Sequence, residues 1–203
     1  YGLAAAQLDR LRDAGARLTV CVDKVAASGG YMMACCANHL IAAPFAVIGS
    51  IGVVAQIPNV HRLLKKHDVD VELLTAGRYK RTLTVLGENS EEGRAKFLED
   101  LQSTHDLFKH YVAQRRPALD IETVATGEIW YGSEALDAGL IDAVGTSDAY
   151  LLEKQRQQLR VLNVSLASRA GLMGKLGKGM ESGLERSVDH ILQRVEDLRW
   201  QRR

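Results

Sequence analysis

Apolar residues recur along the chain with two periods, one helical and one strand-like. Leu3, Ala4, Leu8 and Leu11 share one side of a helix that Gly15 ends. Leu18 to Val22 is an apolar run of strand length. A helix is expected from about Ser28 to Asn38, and Leu40–Ala43 and Ala46–Ala55 are further strand material. Asn59 is placed to cap a helix running to about His67, after which Val69, Val71 and Leu73 alternate as in a half-buried strand. Asn89-Ser90-Glu91-Glu92 reads as a helix start with acidic residues in its first turn, where they complement the helix dipole. Leu98, Leu101, Phe108 and Val112 give that helix one apolar face, and Pro117 stops it. Asp120 caps a short helix ended by Gly127. Ile129–Tyr131 reads as strand, and Ser133 caps a helix that closes at Gly139. Leu140–Val144 follows as strand, and Ser147 caps the next helix. Strand and helix alternate through the first 150 or so residues, which predicts βαβ units and an α/β fold.

The pattern changes after residue 164. Residues 1–164 form the expected main domain, and the Gly- and Lys-rich stretch from Ser165 to Gly179 reads as a linker without core periodicity. Residues 180–203 predict an amphipathic helix. Leu184, Val188, Ile191, Val195 and Leu198 recur at spacings of 4, 3, 4 and 3, a heptad-like seam. From Ser165 to Arg203 there are 8 Lys and Arg against 5 Asp and Glu, a net charge of +3. Such a helix can pack on its own domain, associate with a second copy or lie on an anionic membrane surface; the regular spacing favours association. The chain opens at Tyr1-Gly2-Leu3-Ala4-Ala5-Ala6-Gln7-Leu8, a helix under way with no cap before it, so an N-terminal part of the domain is expected to be missing.

Composition narrows the picture little. With 203 residues, 46% hydrophobic and 25% charged, the chain is ordinary globular material able to bury a core. A net charge of +1 and 5% aromatic residues argue against a nucleic-acid partner. Cys21, Cys35 and Cys36 form no metal-ligand spacing and no disulfide framework, and their apolar neighbours predict buried, inert thiols. Leu40 to Val60 carries no charge, but Pro44, Gly49, Ser50, Gly52, Gln56, Pro58 and Asn59 divide it into pieces of strand length rather than one spanning helix.

Three stretches carry candidate chemistry. Ser28, in Val25-Ala26-Ala27-Ser28-Gly29-Gly30-Tyr31, sits where a helix begins and reads first as an N-cap. A cap needs no glycine after it. A nucleophile gains from one, because small neighbours admit a carbonyl and exposed N–H groups at a helix start can stabilise an oxyanion. A serine hydroxyl also needs a base. His39, His61, His67, His105, His110 and His190 lie in stretches that read as surface or helix-packing positions. Lys80 follows a strand-like run and Gly77, the kind of strand end where α/β proteins build sites. A lysine base must be neutral, so its ordinary pKa of about 10.4 has to fall through burial or a nearby cation such as Arg78 or Arg81. The alternative is an exposed lysine in a basic loop. Ser50, in Gly49-Ser50-Ile51-Gly52, is either a buried hydroxyl satisfied by backbone or a partner that orients the lysine amine.

ASGGY, IGSIGVV and a Gly-x-x-Lys after a strand, in that order, resemble the signal peptide peptidase A family of Ser–Lys proteases, peptidase family S49. The downstream stretches GRYKRTLTVLGENSEEGRAKF and ATGEIWYGSEALDAGLID support the likeness, which spans nearly all of residues 1–160. The resemblance implies a ClpP- and crotonase-like spiral of ββα units and a serine endopeptidase that needs no cofactor and no metal. Ser28 is matched to the nucleophile, Lys80 to the general base and Ser50 to the lysine-orienting hydroxyl, with the Gly29 N–H as an oxyanion donor. It further implies peptide substrates, such as signal peptides or other membrane-derived peptides, and a homo-oligomer with its site near subunit contacts. The implied location is the bacterial inner membrane, held by an anchor in the missing N-terminal part, with the catalytic domain facing the periplasm. The alternatives are a catalytically silent oligomeric scaffold on the same fold and, on fold alone, a crotonase-like acyl-CoA enzyme.

Overall fold

The computed structural model describes residues 1–165. The chain divides into two units, Tyr1–Arg160 and Val161–Arg203. The expected linker from residue 166 onward and the expected helix over 180–203 lie outside the described residues. Everything below concerns the first unit.

Helix α1 (Gly2–Asp13) leads to β1 (Thr19–Val22) and β2 (Val25–Ala27), and α2 (Gly29–Ala34) follows β2 directly. Strands β3 (His39–Ala42) and β4 (Val47–Gly49) come next, then α3 (His61–Lys66) and the long α4 (Glu91–Arg115). The unit ends with α5 (Ile121–Val124), β5 (Ile129–Tyr131), α6 (Gly132–Asp137), β6 (Ala143–Val144) and α7 (Ser147–Arg156). The strands form two three-stranded sheets, ordered β1-β3-β6 and β2-β4-β5. β1 pairs in parallel with β3, and β2 in parallel with β4, so the two strands of one unit each stack on their counterparts in the next. Two successive strands entering different sheets, then repeating one layer on, is the ββα spiral expected from the resemblance.

Strand β4 also pairs antiparallel with β5, in the register Val47 to Tyr131, Ile48 to Trp130 and Gly49 to Ile129. The buried centre includes Tyr31, Leu40, Ile48, Ile51, Val112 and Leu140. The one polar end in this group, the Tyr31 hydroxyl, donates to the Leu140 carbonyl at 2.7 Å, as a buried phenol requires. Cys35 and Cys36 are fully buried and unoxidised.

Several element boundaries differ from expectation, each for a local reason. The strand material over Ala46–Ala55 ends at Gly49, because Gly49 (φ 98°) and Ser50 (φ 50°) both turn left-handed, a conformation no strand tolerates. No strand forms over Val69–Leu73. These residues alternate correctly but find no neighbouring strand, and Val69, Val71, Leu73 and Leu74 stay exposed. The helix after Ser28 stops at Ala34, four residues early. Leu98 is exposed rather than part of the α4 core face. The strand expected over Leu140–Val144 keeps only Ala143 and Val144. Helix α6 starts one residue before Ser133, with Glu134 accepting from the Tyr131 N–H, and α7 is capped by Thr146 rather than Ser147. Ser90 and Asp120 cap α4 and α5 as expected.

Candidate active site

Strand β2 delivers Ser28 to the start of α2. Its backbone lies at φ 52°, ψ −119°, a strained conformation for a residue with a side chain, of the order of 1–3 kcal/mol. The Ser28 N–H donates to the Gly49 carbonyl at 2.8 Å and its carbonyl accepts from the Met32 N–H, so the backbone is fully engaged. The hydroxyl makes no capping hydrogen bond to α2. The ordinary duty of a serine at this position is therefore unfilled, while the backbone is bent sharply to present the side chain. A strained turn between strand and helix that exposes a serine oxygen is the geometry of a nucleophile elbow.

The two glycines after Ser28 differ. A Cβ on Gly29 would fall 1.9 Å from Cγ of Tyr1, whose ring lies against this buried position. A Cβ on Gly30 would meet only Ala26 Cβ, at 4.0 Å. A Cβ on Gly29 must therefore displace the Tyr1 ring, whereas one on Gly30 has room. The N–H groups of the first helical turn have no intrahelical partner, which leaves the Gly29 N–H free to face an oxyanion.

Ser50 sits one strand away, directly after β4. Gly49 before it cannot carry a side chain, because a Cβ there would lie 2.7 Å from Cε3 of Trp130. The Ser50 N–H donates to the Glu128 carbonyl at 2.6 Å. Since Gly49 also accepts from Ser28, the two serine turns are joined by their backbones. Ser28, Gly29 and Ser50 line one cavity of about 1110 Å³, whose apolar wall includes Met32, Val53, Leu107 and Phe108.

Lys80 does not line this cavity. It is exposed in the loop after Gly77, and its N–H donates to the Gly77 carbonyl at 3.1 Å. The loop is fastened to the beginning of α4: Arg78 pairs with Glu92 at 2.8 Å, and Lys96 lies 5.8 Å from the Tyr79 ring centroid. The cavity meets the same helix at Thr104–Tyr111. From Lys96 to Thr104, a rise of 1.5 Å per residue separates the two attachments by about 12 Å. Arg78 and Arg81 are exposed as well.

His105 also lines the cavity, with its Nε2 3.1 Å from the Ile51 carbonyl oxygen. The expectation of a surface or helix-packing histidine did not include its place in the cavity lining. The signal was in the spacing: Leu101, Phe108 and Val112 leave a gap in the 4-3-4 pattern, and position 105 fills it. Among the described residues no group of three or more His, Cys, Asp and Glu side chains could hold a metal ion, and no helix is long and apolar enough to cross a membrane.

Comparison with known proteins points to one family. "Probable protease SohB" of Haemophilus influenzae is 60% identical over 181 residues, covering 89% of this chain and 51% of that protein. "Serine protease SPPA, chloroplastic" of Arabidopsis thaliana is 32% identical over 179 residues, covering 83% of this chain and 26% of that protein. The chain spans about half the length of the SohB proteins it matches. Among solved structures, an enoyl-CoA hydratase/isomerase from Marinobacter aquaeolei is 13% identical at a TM-score of 0.42, covering 90% of this chain and 57% of that one. The sequence model of peptidase family S49 matches residues 10–161, which include both serine turns and the Lys80 loop. By that match and the identity to the SohB proteins, the chain belongs to peptidase family S49.

Proposed function

We propose that the chain is the catalytic part of a serine endopeptidase with a Ser28–Lys80 dyad. The observation that carries this reading is the Ser28 turn, strained in its backbone, unused as a cap and lining a largely apolar cavity. Neutral Lys80 takes the Ser28 hydroxyl proton, and the oxygen attacks a peptide carbonyl. The tetrahedral oxyanion is stabilised by the Gly29 N–H. Collapse breaks the C–N bond, and Lys80 returns the proton to the leaving amine. Water then attacks the acyl-Ser28 ester with Lys80 as base, releasing the acid and restoring both residues. Ser50 orients the lysine amine through its hydroxyl.

The position of Lys80 imposes a condition on this chemistry. Its loop must reach the Ser28 cavity, and we assign that to assembly: the protein works as a homo-oligomer with the site near subunit contacts. The exposed apolar residues Val69, Val71, Leu73 and Leu74, close in sequence to Lys80, support the assignment. The substrates are signal peptides or other membrane-derived peptides, cut beside small or apolar residues that suit the cavity wall. The site of action is the bacterial inner membrane, on the periplasmic side. The alternative, a catalytically silent scaffold, is favoured by one observation, the exposure of Lys80.

Separate Ser28→Ala and Lys80→Ala variants decide between them. The dyad requires each to abolish peptidase activity, and Lys80→Arg to leave it abolished, because a guanidinium cannot act as base. Activity retained in either alanine variant removes that residue from the dyad. A wild-type chain that cleaves no peptide in its assembled form favours the scaffold.

A further inference from the structure

The turn that carries Ser50 is held on three sides. Gly49 accepts from the Ser28 N–H at 2.8 Å, and the Ser50 N–H donates to Glu128 at 2.6 Å. The third tie comes from α4, where the His105 ring meets the Ile51 carbonyl at 3.1 Å, across 54 residues of sequence. Two of these ties are backbone to backbone, so only proline in place of Ser28 or Ser50 would delete their donors. The third is a side chain. A carbonyl only accepts, so the His105 Nε2 must carry the proton in this contact. A half-buried ring on the apolar face of α4 also costs free energy unless its polar atoms find partners. The partner it finds is the carbonyl of Ile51, the residue that follows the left-handed Ser50.

We infer that His105 is a positioning residue for the peptidase reaction, fixing the Gly49–Gly52 turn so that the Ser50 hydroxyl is aimed into the Ser28 cavity. It touches neither the scissile bond nor the proton in transit. It acts through the Ile51 peptide, and the inference rests on the Ser–Lys reading of the site. Loss of the tie lets the turn relax from its strained backbone and moves the Ser50 oxygen. An error of about 1 Å in such a group costs up to about a hundredfold in rate.

The test compares His105→Leu, which keeps bulk but has no donor, with His105→Gln, whose amide can still reach the carbonyl. Turnover of a chromogenic peptide ester with an apolar residue before the scissile bond is measured on the full chain in its native assembly. His105→Leu should lower kcat about tenfold or more with KM changed less than about twofold, the pattern of a lost transition-state contribution. His105→Gln should restore most of kcat. His110→Ala, on the same helix but outside the cavity lining, should match wild type. Equal losses in the Leu and Gln variants, or a loss carried by KM, overturn the positioning role. If His105→Leu does not fold, nitrogen-15 shifts of the wild-type imidazole decide: a proton on Nε2 supports the role, and a bare Nε2 overturns it. Labelling by a fluorophosphonate separates the two levels. If Ser28→Ala still turns over the ester and takes the label, the dyad fails and the positioning role with it. If Ser28→Ala abolishes both while His105→Leu keeps wild-type kcat, only the positioning role fails.

Discussion

Ser28 and Ser50 share a feature rare for residues with side chains: both have positive φ, 52° and 50°. Each follows the end of a strand, and each is locked by a backbone hydrogen bond to the neighbouring turn. Strain of this kind survives only where surrounding contacts over-determine it. Gly49 is central to that, since it accepts from Ser28, precedes Ser50 and lies under the Trp130 ring. Gly49→Ala combines an unfavourable φ of 98° with a 2.7 Å contact to an aromatic ring. It should destabilise the protein by about 2 kcal/mol or more, read as a drop in chemical-denaturation midpoint. Gly30→Ala, with its nearest contact at 4.0 Å, should leave the midpoint near wild type. At this scale the sequence located the two turns and was silent about how they are bent. ASGGY and GSIG marked both turns, yet a Ser before a helix predicts a cap, and in the fold the hydroxyl does not cap.

The elements that frame the cavity are tied by charge as well as by core packing. Asp9 of α1 receives a hydrogen bond from Arg115 Nε of α4 at 3.0 Å and another from the Tyr111 hydroxyl at 2.8 Å, and Arg115 stacks on the Tyr111 ring. The Arg115 hydrogen bond is the largest cause that holds the Asp9 carboxyl down, from its ordinary 3.8 to about 2. A depressed carboxylate contributes stability above its unfolded pKa and loses it as pH falls through the folded one. Acid titration of the wild type should therefore show a loss of order 1 kcal/mol between about pH 4 and 2, allowing for solvent screening at this partly open pair. Asp9→Asn should start less stable at neutral pH and lack that part of the acid limb, as followed by thermal melts across pH. Most elements were legible from periodicity: α1, β1, α4 and β5 match closely. The failure over Val69–Leu73 has a physical cause. Alternation reports that a stretch suits a half-buried strand, not that a partner strand exists to receive its hydrogen bonds. His105 shows the opposite case: it falls at a helical-period position of α4 with Leu101, Phe108 and Val112, but a polar residue breaks the hydrophobic count.

In the molecule as a whole, the Lys80 loop attaches to the first turns of α4 and the Ser50 turn to its middle, at His105. A single chain thus presents Ser28, Gly29 and Ser50 in one cavity and Lys80 outside it. Assembly resolves this if a neighbouring copy covers the exposed apolar residues near Lys80. Light scattering should then give a mass that is a multiple of the 22.3 kDa chain. Replacing Val71 and Leu73 by Asp should lower both the mass and the peptidase activity; an unchanged mass would place the interface elsewhere. Neither the spiral of ββα units nor the family needed the structure to be read, because both rest on motifs in order along the chain. The separation of Lys80 from Ser28 did need it, since no motif records where a loop is placed in space. The central claim is that Ser28 is a nucleophile activated by Lys80. Its most direct test is peptide mapping after treatment of the assembled protein with a fluorophosphonate. The account predicts one modified serine, Ser28, with the modification lost in Lys80→Ala; an unmodified Ser28, or equal modification without Lys80, would contradict it.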